Sequence, residues 1–283
     1  MEESLMVLSF VQVIPILQAL AAGETAVTTS LDLNLTQTEL SLTADGVFLP
    51  DGQNLTWDQL QEIADNELAC YCIDGGQIEK IQFFSEPLNR FYSLMPTEGA
   101  PTMLISGIPM HRIKGTDPHR DTLSKIKAIA PVTGEVLDTT MGLGYTAIEA
   151  AKTAVHVTTI ELDPTVTEIC RRNPWSHALF NNPKITRRIG DAYDVVLELS
   201  DERFSRIIHD PPMFSLAGHL YSAEFYRELY RILTPKGRLF HYIGNPDSKS
   251  GGSVTRGVVR RLQDAGFRRV QPQPQAFGVV AYK

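Results

Sequence analysis

After the segment Met110-His111-Arg112-Ile113-Lys114-Gly115, short apolar runs alternate with helix-forming segments, and this rhythm constrains the fold more than any other feature. Runs at residues 135–137, 155–160, 184–189, 205–208 and 238–243 read as strands with helical segments between them, and 268–271 and 277–282 close the chain as a final pair. Strand–helix alternation predicts a mostly parallel sheet covered on both faces. Upstream, from Val27 to Met110, short β-like runs are broken by Asp-Gly, Gly-Gly and Pro-containing turns. That pattern predicts a small, mostly antiparallel domain, with one helical insert over residues 57–68 behind Thr56 as N-cap. The 283 residues therefore divide into expected domains 1–115 and 116–283.

The apolar run 5–22 resembles a signal sequence only superficially. Its flank is acidic, Glu2-Glu3, and Gln12, Pro15 and Gln18 interrupt it. A buried or docking helix and a cytoplasmic protein are expected. Cys70, Cys72 and Cys170 have neither zinc-site nor redox spacing and read as reduced core residues. With 26 Lys and Arg against 33 Asp and Glu, the formal charge of −7 argues against broad attraction to polyphosphate and leaves only a local basic face.

The first strand of the alternating half runs into Asp138-Thr139-Thr140-Met141-Gly142-Leu143-Gly144. Ligands of open α/β sheets sit beyond the carboxyl ends of the strands, at such turns. The spacing is not the dinucleotide G-x-G-x-x-G, and Thr140 stands where a further glycine is expected. A purely structural turn is the alternative. Glu161, in Ile160-Glu161-Leu162-Asp163-Pro164, ends the second strand, where a carboxylate takes ribose hydroxyls. Asp191, in Gly190-Asp191-Ala192, follows the third strand and is placed to accept from an adenine amino group. Each acid alone reads equally as a helix N-cap, but three at successive strand ends point to a nucleoside.

This series resembles the class I S-adenosylmethionine-dependent methyltransferases over residues 134–283. The resemblance implies a Rossmann-like, seven-stranded α/β sheet and S-adenosyl-L-methionine as cofactor. Gly142 and Gly144 would flank the methionine moiety, Glu161 would hold the ribose, and Asp191 with Ala192 would lie at the adenine. Asp138 and Thr140 belong to the same cofactor loop.

Asp210-Pro211-Pro212 resembles the motif of methyltransferases that act on exocyclic amines of bases. An aryl amine attacks a sulfonium poorly unless acceptors hold its N–H groups and aim the lone pair; the Asp210 carboxylate and the Pro211 carbonyl would do so, stiffened by the prolines. No metal is called for. Met213 occupies the usual stacking position, with the aromatic Phe214 one place later. The alternatives are that Asp210-Pro211-Pro212 is a rigid turn and that His209 is a structural histidine.

Residues 29–39, 106–118, 169–176 and 209–233 resemble an archaeal family of predicted methyltransferases linked to N4-methylation of cytidine in small-subunit ribosomal RNA. The resemblance implies an RNA substrate. The candidate basic clusters are His111-Arg112 with Lys114, His119-Arg120, Arg171-Arg172, Arg187-Arg188, Arg256 with Arg260-Arg261, and Arg268-Arg269. In the 253–265 segment Val254, Val258 and Leu262 share one helical face and Arg256 and Arg260 another.

A second expectation uses the same sheet. Residues 210–226 also resemble the segment of spermidine-synthase-type aminopropyltransferases in which Asp-Pro precedes a Leu-Tyr-Ser-x-Glu-Phe-Tyr helix start, and an acidic chain suits a polyamine. Against it, those enzymes have a richer glycine turn, and only Asp210 and Glu224 offer carboxylates near the fourth strand. A noncatalytic binding module is the third.

Overall fold

The computed structural model describes residues 5–245 and 251–283. It divides into two compact units, one comprising Met1–His119 and Thr165–His177, the other Arg120–Pro164 and Ala178–Lys283.

The first unit is built from small antiparallel sheets. Met6–Leu8, Tyr71–Asp74 and Gln77–Lys80 form one; Ala26–Thr29, Thr38–Leu42, Gly46–Phe48 and Asn54–Thr56 form a meander; Gln82–Ser85, Arg90–Met95, Thr102–Ile105 and Ile108–Pro109 form a third. The apolar N-terminal run is a strand and then a helix. Ser9 caps the helix Phe10–Ala21 in a reciprocal pair with Gln12, so helix begins there and residues 6–8 join a sheet. Val13, Ile16 and Ala19 are its buried stripe. The helical insert is Trp57–Ala64, capped by Thr56 and Gln59. It stops before residue 68 because Asn66 Oδ1 accepts from the Leu68 N–H, a local turn that competes with helix. The core of this unit gathers Leu8, Val13, Ile16, Leu55, Leu60 and Tyr71. All three cysteines are buried free thiols, and burial pushes the Cys70 thiol far up. No helix among the described residues is long and apolar enough to cross a membrane.

The second unit is a Rossmann-like α/β layer around a seven-stranded sheet. Its strands are β1 (Glu135–Asp138), β2 (His156–Glu161), β3 (Ile185–Ile189), β4 (Phe204–His209), β5 (Leu233–Tyr242), β6 (Arg269–Gln273) and β7 (Gly278–Tyr282). Their order is β3-β2-β1-β4-β5-β7-β6. The first five run parallel and β7 inserts antiparallel between β5 and β6. The order reverses at β1, so the ends of β1 and β4 are adjacent and the crevice opens there. β5 starts at Leu233, earlier than its apolar pattern suggests, because Leu233 pairs with Phe204 across a register shift.

Helix Ala223–Ile232 shows how the sheet is covered. Ser222 accepts from the Phe225 N–H, Glu224 and Arg231 complement the helix dipole at opposite ends, and Phe225, Tyr226, Leu229 and Ile232 face inward at helical spacing. They pack into one core with Leu137, Ile207, Leu239 and Val279 from the sheet. Helix Gly251–Asp264 buries Val258 and Leu262 in that core and leaves Arg256 and Arg260 exposed. Leu229→Ala should therefore lower unfolding free energy by about 2–5 kcal/mol in urea titrations, while Gln263→Ala on the exposed face should change it by less than about 0.5 kcal/mol. Equal, small losses for both would mean that this cluster does not carry the core.

Candidate active site

The turn after β1 is stitched to both neighbouring strands. On the β4 side, the Thr139 N–H donates to the Ile208 carbonyl (3.0 Å) and the Thr140 hydroxyl donates to the Asp210 carbonyl (2.8 Å). On the β2 side, the Met141 N–H donates to the Ile160 carbonyl (2.7 Å) and the Gly142 N–H to Glu161 Oε2 (3.0 Å). Thr140 thus spends its hydroxyl holding the Asp210 segment. Gly142 and Gly144 both adopt positive φ, +51° and +77°. A side chain on Gly142 would project into open space, whereas one on Gly144 would overlap Leu179. The two glycines are therefore different: Gly144 is demanded by packing, and Gly142 keeps a surface open.

The candidate carboxylates occupy distinct settings. Asp138 is fully buried, its Oδ2 accepting from the hydroxyls of Thr159 (2.8 Å) and Thr146 (3.3 Å). Burial raises its carboxyl to about 7, with the Asp210 charge adding to the rise. Glu161 accepts from Gly142 through one oxygen and from the Asp163 N–H (3.0 Å) through the other, and burial raises it to about 7. Asp191 is an N-cap, accepting from the Tyr193 N–H (2.8 Å) ahead of buried Ala192, and its other oxygen lies 3.0 Å from His219 Nε2.

At the end of β4, Asp210 meets a residue that the sequence analysis missed. Lys125 Nζ lies 2.6 Å from Asp210 Oδ2 and 2.8 Å from Asp121 Oδ2, and 4.7 Å from the centre of the Tyr242 ring. Its side chain is 3% exposed. The signal was present in helix Pro118–Ile129, where Asp121, Thr122, Lys125 and Ile129 share the buried face, so two charges occupy an inward stripe. Burial raises the Asp210 carboxyl and Lys125 pulls it back. Pro211 is buried, and the Pro212 carbonyl accepts from the Tyr221 hydroxyl (3.0 Å). Met213 and Phe214 are exposed, and the Phe214 ring sits edge-on to Tyr221 at 5.5 Å.

Behind Asp210 lies a histidine pair. His209 and His241 are fully buried, their ring centres 4.4 Å apart. His209 Nε2 faces the Leu220 carbonyl (3.0 Å), so it bears the proton and Nδ1 accepts from the Thr139 hydroxyl (2.7 Å). Burial lowers His209 to about 3 and drives His241 down as well. The pair is neutral packing and an anchor for the β1 turn.

Residues 113–250 match the family model described as "Spermine/spermidine synthase domain". The chain is 46% identical over 260 residues to the "Uncharacterized protein MJ1233" of Methanocaldococcus jannaschii, covering 90% of this chain and 88% of that one. It is 35% identical over 112 residues to the polyamine aminopropyltransferase of Sulfolobus acidocaldarius, an alignment spanning 37% of each protein. Among solved structures it is similar in fold to the spermidine synthase of Thermotoga maritima, with a TM-score of 0.56 at 18% identity over 74% of this chain and 75% of that one.

The family model and this aminopropyltransferase relative overturn the expectation of N4-cytidine methylation in ribosomal RNA, and with it RNA as partner. The surface agrees. Several of the basic clusters are turned to their own unit: Arg188 pairs with Glu198 at 2.6 Å, Arg172 covers the Phe83 ring near Glu79, and Arg187 covers Phe180.

The histidine anchor has a measurable signature. A histidine whose folded pKa lies below its unfolded value of about 6.5 destabilises the fold as pH falls, because the unfolded chain takes up the proton first. Asp138 and Glu161, raised in the fold, act oppositely and lose stability as pH rises toward 7. Only a variant difference isolates the histidine. Between pH 7 and pH 5, His209→Gln should lose about 2 kcal/mol less unfolding free energy than the parent. Parallel pH profiles for the two proteins would show that His209 is not held neutral.

Proposed function

The chain belongs to the family of the Methanocaldococcus jannaschii protein MJ1233, and from that premise we propose that it transfers the aminopropyl group of decarboxylated S-adenosylmethionine to an amine nitrogen of a polyamine. The observation that carries this reading is the match of residues 113–250, which span Lys125, the β1 turn, Glu161, Asp191 and Asp210, to the spermine/spermidine synthase domain. The charge at the crevice supports it: Asp121 and Asp210 share the Lys125 ammonium and Asp138 acts on Asp210, which suits a cationic donor and a cationic acceptor.

The residues fit such a donor. Gly142 leaves open space at the turn, and the Glu161 carboxylate keeps acceptor capacity for a ribose hydroxyl. Asp191 and Ala192, after β3, are assigned to the adenine; Asp138, Thr140 and Gly144 shape the turn. A bound sulfonium supplies an electrophilic carbon and a neutral thioether leaving group. The acceptor nitrogen donates its lone pair to that carbon, the carbon–sulfur pair returns to sulfur, and the surplus N–H proton passes to Asp210. Among the described residues Asp210 Oδ1 makes no hydrogen bond, which leaves it for that proton. Pro211 and Pro212 stiffen the segment, and Phe214 with Tyr221 supplies an apolar wall for a methylene chain. Residues 1–115 are assigned to positioning the acceptor.

The test is incubation of the purified protein with decarboxylated S-adenosylmethionine and a panel of α,ω-diamines and triamines, followed by mass spectrometry for the aminopropylated amine and 5′-methylthioadenosine. Asp210→Asn should lower turnover by about 10²–10⁴ with 5′-methylthioadenosine affinity within about twofold. Glu161→Ala should instead weaken that affinity by about tenfold or more. The reverse pattern would overturn the role assignment, and absence of product with every amine would overturn the activity.

A further inference from the structure

Lys125 calls for an explanation that stability does not supply. Its ammonium is removed from water between two carboxylates, an arrangement whose desolvation cost offsets most of its attraction and which apolar residues of similar volume replace without loss in many cores. The geometry shows what it does accomplish. Asp121 and Lys125 stand one helical turn apart on the buried face of Pro118–Ile129, so Asp121 fixes the ammonium on its own helix. The ammonium then holds Asp210 Oδ2, and the Tyr242 ring covers it. With Oδ2 taken, the carboxylate cannot rotate freely, and Oδ1 is the oxygen left outside the pair. Asp210 retains 19% side-chain exposure while Lys125 is sealed beneath it.

We propose that Lys125 is the positioning residue of Asp210, and that Asp121, by sharing the same ammonium, sets how strongly Lys125 acts on it. The proposal rests on the aminopropyl-transfer reading for what Asp210 does, although the coupling of the three groups stands without it. Among the described residues, the charged and titratable groups around Asp210 are Lys125 and Asp121 from the helix, Asp138 from β1, Tyr221 from the segment after β4 and Tyr242, over which Lys125 lies, at the end of β5. His209 and His241, held neutral by burial, contribute no charge. Lys125 lowers the Asp210 carboxyl and Asp121 raises it. Removal of either partner must therefore move the Asp210 titration in opposite directions, a pattern that a merely space-filling lysine does not produce.

The experiment is a carboxylate carbon-13 NMR titration of the free, full-length protein, with Asp210→Asn identifying the Asp210 resonance. Lys125→Met should move the Asp210 midpoint up by about one pH unit or more, and Asp121→Asn, which keeps an acceptor oxygen for Lys125, should move it down. A midpoint unmoved in both variants, or moved in the same direction, would overturn the proposal. If Lys125→Met does not fold, Asp121→Asn decides alone: a downward shift supports the coupling and no shift removes it. The acid limb of the turnover profile for aminopropyl transfer should follow the same two directions, with turnover reduced in Lys125→Met by more than about tenfold and 5′-methylthioadenosine affinity unchanged. A parent protein without turnover would defeat the aminopropyl reading, while the NMR titration would still decide the coupling.

Discussion

The short bonds from Thr139 and Thr140 to the end of β4 hold the candidate site together. They join a nucleoside-type turn and an acidic, proline-stiffened segment that lie about seventy residues apart in the chain. Sheet order brings β1 and β4 side by side, but adjacency alone would leave two mobile loops. The Thr139 amide, the Thr139 hydroxyl on His209 and the Thr140 hydroxyl on the Asp210 backbone remove that freedom, and each is worth about 1 kcal/mol net but more to lose, because a buried partner would be orphaned. His209 passes the restraint on to the Leu220 carbonyl, so the segment carrying Asp210 is anchored at both ends.

Much of this architecture was written in local sequence. β-Branched runs alternating with helix formers marked the parallel strands, and Thr56 marked a helix start by capping chemistry. What escaped depended on distance or on competition. Ser9 and Gln12 set the first helix later than hydrophobicity alone suggests. The Lys125–Asp210 pair spans 85 residues and is visible only once sheet order places a helix behind β4. The chemistry was ambiguous for another reason. An amine attacking a sulfonium carbon needs an acceptor for its proton and a rigid approach whichever alkyl group moves, so Asp210, Pro211 and Pro212 alone did not separate methyl from aminopropyl transfer.

Electrostatics organises the second unit at two depths. Near the crevice, Asp121 and Asp210 share the Lys125 ammonium, and Asp138 and Glu161 are driven toward neutrality by burial. One layer below, His209 and His241 are kept uncharged, so the acidic groups gain no compensating cations from beneath. On the exterior, Arg188, Arg203 and Arg231 pair with neighbouring acids, and Arg172 and Arg187 cover aromatic rings. Such a crevice suits a small polycation, the substrate class of the proposed reaction.

The first unit is not a contiguous stretch of chain. It incorporates Thr165–His177, which follow β2 in sequence, and within it the Trp175 indole donates to the Leu33 carbonyl (2.9 Å). The polypeptide thus crosses between the units three times. On the ribosome the N-terminal unit cannot close until residue 177 has emerged, by which point β1 and β2 of the other unit are already synthesised. The two units are consequently tied in folding order as well as in sequence, and truncation or recombination that replaced the chain after residue 115 would deprive the first unit of one of its own segments.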